Sequence, residues 1–243
     1  MKVLVFDIWA DLGHFRKFYT TTSPLTLAFP PPPTIAGILG CITGLDKSKN
    51  EYLAVHRESK IAVRLLNPVK KIRLGLNLLE TKGKNLKLPM SDKSLQPRTQ
   101  IRTEFLKNPK FRIFVNMRDD INFKYLIDRI QSHQSVFTVS MGLSELLANF
   151  EFISLLQGEE INNINKAEIV DISTPITMQN LLPNGLIIEE GKKYFKEKIP
   201  IRMNSERIVE IYDNVIYEPD SHLIKARVKE YCRLENGENI TFF

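Results

Sequence analysis

Hydrophobic positions fall into short runs of strand length, broken by Gly, Pro and Asn, with a few stretches of helical spacing between them. Val3 to Trp9 is β-branched, aromatic and apolar up to Ala10-Asp11-Leu12-Gly13, which predicts a buried first strand with Asp7 as its polar exception. Pro30 to Pro33 must be extended, and Thr34 stands where a helix wants a capping hydroxyl, so a helix is expected over Thr34 to Thr43. On it Gly37, Gly40, Cys41 and Gly44 recur at helical spacing and leave one face nearly bare. Interior glycine costs roughly 1 kcal/mol relative to alanine. That face therefore implies close approach, by a neighbouring sheet or by a backbone of protein or RNA passing over it.

Glu51 to Arg57 reads as a short helix, Lys60 to Leu66 and Val69 to Leu79 as strands, and Gln96 to Leu106 as a return strand. Asn108-Pro109 turns the chain into a strand over Phe111 to Met117. Asp119 or Asp120 caps a helix to about Gln131, with Leu126, Ile127 and Ile130 as its apolar stripe. A short strand over Val136 to Met141 and a short helix over Leu143 to Phe150 follow. From about Asn165 the runs are β-rich: Ala167 to Ile172, Leu186 to Ile188, Ile208 to Tyr212 and His222 to Lys229. They form a second small module or an extension of the first sheet.

Composition alters this picture in one respect. The 243 residues are 43% hydrophobic with 14 Phe, which excludes a disordered or fibrous chain, and the net charge is +6. That excess is concentrated: residues 57–112 hold 15 basic against 4 acidic side chains. Such a strip attracts a polyanion, each neutralised phosphate releasing condensed counterion. The natural partner is nucleic acid; the alternative is a solvated face paired with the acidic 151–192 segment. Within the strip, Thr81 to Ser94 carries Gly, Pro and Lys without a period, including Lys82, Lys84 and Lys87, and reads as a long cationic loop or hairpin tip. Arg98 and Arg102 share one face of the return strand. Earlier in the chain, His14 to Thr22 alternates basic and aromatic groups, a pattern suited to phosphates and stacked bases and equally to an amphipathic edge strand.

Two cysteines, Cys41 and Cys232, make no disulfide framework, and Asp7 ends the first apolar run too early for a signal peptide. No stretch approaches the roughly 18 apolar residues of a membrane span. A soluble, cytoplasmic protein with no membrane contact is expected.

Candidate chemistry is sparse. His14, His56, His133 and His222 lack metal-ligand spacing, and neither a phosphate-binding loop nor a dinucleotide glycine fingerprint is present. No metal and no cofactor is expected. Asp7 and Asp11 are the carboxylates a magnesium ion would use, although an Asp within an apolar strand is ordinarily hydrogen-bonded structure. Metal-free RNA cleavage needs a base, a donor for the leaving oxygen and a cation on the phosphate, and His14, Lys17 and Tyr19 could supply them. The competing reading makes His14 a packing or stacking residue.

Several runs, taken in order, resemble the CRISPR-associated Cas five family. They are Gly13-His14-Phe15-Arg16 after the first strand, Pro30-Pro31-Pro32-Pro33-Thr34-Ile35-Ala36-Gly37-Ile38-Leu39-Gly40, the stretch Arg98 to Val115 with its Asn108-Pro109 turn, and Met141-Gly142-Leu143-Ser144-Glu145-Leu146. The similarity covers roughly residues 1–160, and the proline-to-glycine helix start is its most specific piece. The resemblance implies an α+β chain: a ferredoxin-like RNA-recognition-motif domain over residues 1–160 and a β-rich carboxy-terminal module over 161–243. A protruding basic β-hairpin, the thumb, would lie at about 80–100.

It also implies a function, capping the five-prime handle of CRISPR RNA in the type I antiviral surveillance complex, Cascade, with the backbone subunit and the large subunit as partners. One branch of the family cuts precursor RNA with a tyrosine and a Lys-His pair near the thumb. This chain has no histidine between His56 and His133, which favours a non-catalytic subunit of a form resembling type I-B. On this reading Arg16, Lys17, Lys82, Lys84, Lys87, Arg98 and Arg102 hold phosphates, while Tyr19 or Phe18 stacks on a base.

Overall fold

A computed structural model of the chain describes residues 1–57, 59–79 and 98–243. Its strands are β1 (Lys2–Trp9), β2 (Leu12–Gly13), β3 (Ser59–Leu65), β4 (Lys71–Leu79), β5 (Arg98–Lys107), β6 (Lys110–Met117) and β7 (Asn149–Asn162). Eight more follow: β8 (Val170–Ile172), β9 (Ile176–Thr177), β10 (Leu181–Leu186), β11 (Phe195–Met203), β12 (Val209–Tyr217), β13 (Ile224–Val228), β14 (Glu230–Leu234) and β15 (Asn239–Ile240). The helices are α1 (Pro32–Thr43), α2 (Glu51–Arg57) and α3 (Asp120–Gln131).

Six strands form the main antiparallel sheet in the order β15-β14-β7-β1-β6-β3. α1 lies in the chain between β1 and β3, and α3 between β6 and β7, so two split β-α-β crossovers interleave to give β7-β1-β6-β3. β1 is apolar on both sides because both sides are covered. Leu4, Phe6 and Ile8 pack in one core with Ile35, Leu39 and Ile42 of α1 and Phe123, Leu126 and Ile130 of α3. Val3 and Val5 pack in another with Phe114, Cys232, Leu234 and Ile240. β14 and β15 thus supply the last two strands at one end of the sheet and also side chains over its outer face, which requires the sheet to curl. A register shift between Val5 and Phe6 marks the irregularity where β1 meets β7.

α1 starts two residues earlier than the capping rule suggests. Pro31 is extended at ψ 160°, prolines occupy the first helical positions, and no side chain caps the end. A helix's first positions have no intrahelical use for an N–H, so proline there costs nothing. Gly44, at φ 80°, closes the helix by donating its N–H to the Gly40 carbonyl. The bare glycine face meets protein at two positions, where a Cβ on Gly40 would lie 2.7 Å from Tyr52 Cβ of α2 and one on Gly44 2.9 Å from the Val136 methyls. Gly37 has only Tyr52 Cδ2 at 4.0 Å and lines an open cavity with Gly40 and Cys41. At α3 the expectation holds, with Asp119 accepting from the Ile121 and Asn122 amides.

Two expected elements do not form. Val136–Met141 makes only a single bridge, Ser140 to Leu147, and Leu143–Phe150 is a turn that runs into β7. Met141 N–H donates to the Leu146 carbonyl and Leu146 N–H to Leu143. Gly142 sits at φ 101° with its Cβ position 1.9 Å from the His14 carbonyl oxygen, which only glycine tolerates.

Among the β-rich runs, β8, β12 and β13 match expected strands, while β10 lies just before the expected Leu186–Ile188. The strands β7, β11 and β14 are additional. The boundary expected at residue 160 falls inside β7, whose outer end pairs with β14. Ile199, Val215 and Tyr217 of β11 and β12 join the main core. Among the described residues no helix is long and apolar enough to cross a membrane.

Candidate nucleic-acid interface

β2, β5 and β4 form a separate three-stranded sheet in which β2 pairs only with the base of β5, at Leu12↔Lys107 and Gly13↔Leu106. Beyond that base β4 and β5 run on as a ribbon, paired from Lys71↔Leu106 outward to Leu79↔Arg98. Cross-strand partners share a face. One face therefore carries Lys71, Arg73, Gly75 and Asn77 beside Leu106, Glu104, Arg102 and Gln100, with Arg98 at its outer end, and the other Ile72, Leu74, Leu76 and Leu78 beside Phe105, Thr103, Ile101 and Thr99. Glu104 is the one acid in β4 or β5. Its carboxylate is largely buried, accepts from the Thr26 amide, and lies 3.5 Å from both Lys71 Nζ and Arg73 Nε. Arg98 and Arg102 are exposed and make no ion pair among the described residues. The polar face is thus four cations over one buried anion, an arrangement that leaves positive charge facing solvent.

The loop from His14 to Ala28 joins this face. Glu104 N–H donates to the Pro24 carbonyl, and Lys71 Nζ donates to the Thr26 carbonyl at 2.8 Å. On its other side the loop is tied to β11, where Glu197 pairs with Lys17 and accepts from the Ala28 amide. Burial works to lower the Lys17 ammonium's affinity for its proton. The Glu197 carboxylate outweighs it and holds the pKa above the ordinary value.

The sequence-derived candidates divide accordingly. His14 is 4% exposed, its Nδ1 is 2.7 Å from the Glu104 carbonyl oxygen, and its ring packs on Phe105. The ring is interior packing and offers nothing to a molecule on the surface. Lys17 is committed to Glu197, so its charge is largely neutralised within the protein. Tyr19 is 58% exposed beside Phe18 at 53%, in an edge-on pair. Arg16 is exposed and donates to the Thr20 carbonyl, holding the loop's turn. Of the three residues of the cleavage reading, Lys17 and Tyr19 are brought into side-chain contact, while the His14 ring is buried apart from them. Lys82, Lys84 and Lys87, with most of the expected thumb, lie outside the described residues.

Two residue classes escaped the sequence reading. Lys71 and Arg73 join Arg98 and Arg102 because alternation in β4 is in phase with β5. Tyr212 and Lys198 come from the carboxy-terminal hairpin, where Phe195-Lys196-Glu197-Lys198-Ile199 alternates visibly.

The basic strip of residues 57–112 does not gather whole. Arg57 pairs with Glu210, Lys60 with Glu160 and Arg64 with Glu238. Arg112 holds Asp7 through bonds of 2.8 and 3.2 Å, with Lys110 at 3.8 Å. The magnesium option at Asp7 and Asp11 is displaced by this pair: Asp7 is spent on Arg112. No metal-competent cluster occurs among the described residues.

A family model described as CRISPR-associated protein (Cas_Cas5) matches residues 3–210. The chain belongs to that family. No curated protein matches its sequence. Among solved structures, a CRISPR protein from Archaeoglobus fulgidus is similar at TM-score 0.58 and 14% identity, over 98% of this chain and 97% of that one. A chain of a CRISPR RNA-guided surveillance complex is similar at TM-score 0.51 and 11% identity, covering 92% and 91%. A chain of a type III-B Cmr-beta complex bound to cognate target RNA is similar at TM-score 0.52 and 15% identity, covering 93% and 86%. At these identities the structural likeness concerns the fold. In this Cas_Cas5 family member Arg98 and Arg102 of the ribbon make no ion pair among the described residues, while Arg64 and Arg112 of the main sheet are paired.

Proposed function

We propose that this CRISPR-associated protein is a non-catalytic RNA-binding subunit that caps the five-prime handle of CRISPR RNA in a type I surveillance complex, of the type I-B kind. The observation that carries the reading is the polar face of β4 and β5, where Arg73, Arg98 and Arg102 stand exposed over a single buried carboxylate. Phosphate oxygens are what such a row of guanidinium groups recognises. The split β-α-β sheet is read as the ferredoxin-like scaffold, and β4 with β5 as the two sides of the thumb. Similar folds occur in a CRISPR RNA-guided surveillance complex and in a Cmr complex bound to target RNA, which supports RNA and other CRISPR-associated subunits as partners.

The buried ring of His14 and the neutralised ammonium of Lys17 favour binding over cleavage. Incubation of the protein with end-labelled precursor repeat RNA in EDTA tests this. The reading expects RNA that is bound and uncut. Site-specific cleavage that disappears in Tyr19→Phe and His14→Gln would make the protein an endonuclease.

A further inference from the structure

The carboxy-terminal hairpin β11–β12 carries charge and aromatic surface that the ribbon account does not use. β11 turns Phe195, Glu197 and Ile199 to the same face as Tyr217, Val215 and Asp213 of β12, and Ile199, Val215 and Tyr217 are buried in the main core. The opposite face holds Lys196, Lys198 and Pro200 beside Asn214 and Tyr212. Both lysines are exposed; Arg202 is exposed as well, but after a register shift it pairs with Ile211, on the side of β12 away from Tyr212.

Over this face stands Phe18. Its ring centroid is 4.8 Å from that of Tyr212, and Lys198 Nζ lies 5.8 Å from the Phe18 centroid and 5.2 Å from the Tyr212 centroid. Tyr19 completes the group edge-on, 5.2 Å from Phe18. More than half of Phe18 and Tyr19 remains open to solvent although the loop that bears them is firmly held. Lys17 is paired with Glu197, and Lys17 N–H donates to the Leu25 carbonyl. Arg16 and Thr20 Oγ1 each bond to backbone carbonyls within the loop. The rings are therefore ordered before any ligand arrives, which lowers the cost of binding one.

Exposed rings interleaved with cations are the requirement for single-stranded nucleic acid: the rings stack on bases and the cations follow the phosphates. A protein partner would be expected to bring its own carboxylates to the same cations. Glu197 serves Lys17, Glu210 serves Arg57, and Asp213 stands on the Ile199 side of the hairpin and accepts from the Asn214 amide, so none of the three is ion-paired with Lys196 or Lys198 among the described residues.

We infer that Phe18, Tyr19 and Tyr212 form a base-stacking platform for single-stranded RNA, with Lys196 and Lys198 holding the adjoining phosphates, so that the carboxy-terminal hairpin is a second RNA-contacting element. This rests on the RNA-binding reading above and extends it. The loop from His14 to Ala28 bonds to β5 through Glu104 and to β11 through Glu197, so one strand of RNA can pass from the ribbon over the loop to the hairpin.

The test uses the full chain and a synthetic single-stranded RNA of about 12 nucleotides, with 2-aminopurine placed at successive positions. One position should show quenched fluorescence on binding. Phe18→Ala with Tyr212→Ala should abolish that quenching and weaken affinity about 5- to 150-fold with an unchanged salt slope. Lys196→Gln with Lys198→Gln should lower the slope of log affinity on log salt by roughly 1.4. Phe18→Trp and Tyr212→Phe should retain binding, which separates lost stacking from lost folding.

Wild-type affinity and slope in both hairpin variants would overturn the inference, and it would do so alone if Arg98→Ala with Arg102→Ala still weakened binding. Failure of the ribbon variant while the hairpin variants respond would instead remove the ribbon reading. A hairpin double variant that binds RNA normally but no longer associates with a purified CRISPR-associated subunit would make the platform a protein contact and reject the stacking site.

Discussion

Asp7 and Lys17 show how much the surroundings of a charge decide its use. Lys17 looks available in the sequence, whereas Asp7 reads there as ordinarily hydrogen-bonded structure; both are consumed by partners distant in the chain, Glu197 and Arg112. Asp7→Ala would leave the Arg112 guanidinium, 24% exposed, without its main partner. A loss of about 3 kcal/mol is expected, the lower end for breaking a buried pair, and urea unfolding measures it. At Lys17 the folded-state pKa is raised above 10.5. The pair's contribution to stability is therefore complete below the unfolded value and declines as pH rises through the folded one. Thermal melts at increasing alkaline pH should show a steeper fall for the wild type than for Lys17→Met. Parallel curves would mean that the pair contributes nothing. Neither partnership was legible in the sequence, because each joins residues about a hundred or more positions apart.

Among the elements, α1 and the ribbon give opposite expectations for glycine. Gly40→Ala gains roughly 1 kcal/mol of helix propensity. It also forces a methyl to within 2.7 Å of Tyr52 Cβ, and overpacking of about 1–3 kcal/mol should make the variant net destabilised in chemical denaturation. Gly75 has nothing within 4 Å of its Cβ position. Gly75→Val should fold at least as stably as the wild type, gaining up to about 1 kcal/mol from strand propensity. It should nonetheless bind RNA more weakly, since it puts bulk between Arg73 and Arg102 on the polar face. Unchanged RNA affinity in a folded Gly75→Val would argue that the RNA does not lie on this face.

The elements set by local pattern were legible in the sequence: β1 by its apolar run, β4 and β5 by alternation around a cationic loop, α3 by the Asp119 cap. β7 was not, because the run Leu146-Leu147-Ala148 suggests a helix. Its fate is decided instead by Gly142, which places the preceding turn against the His14 carbonyl, and by the pairing of Phe150 to Gln157 with β1.

For the molecule as a whole, position along the chain is a poor guide to where charge accumulates. The basic strip is split by the topology. β3 and β6 belong to the main sheet and their cations meet carboxylates from β1, β7 and the β14–β15 turn, whereas β4 and β5 leave it: Arg73 shares the buried Glu104 with Lys71, and Arg98 and Arg102 make no ion pair among the described residues. Arginines within the sheet should therefore matter to folding, and those on the ribbon to binding. The measurement that tests this most directly is a salt titration of single-stranded RNA binding, with Arg64→Gln set against Arg98→Gln plus Arg102→Gln. The account predicts a slope lower by roughly 1.4 in the ribbon variant with unchanged stability. It predicts an unchanged slope with reduced stability for Arg64→Gln. Equal slopes for the ribbon variant and the wild type would contradict it.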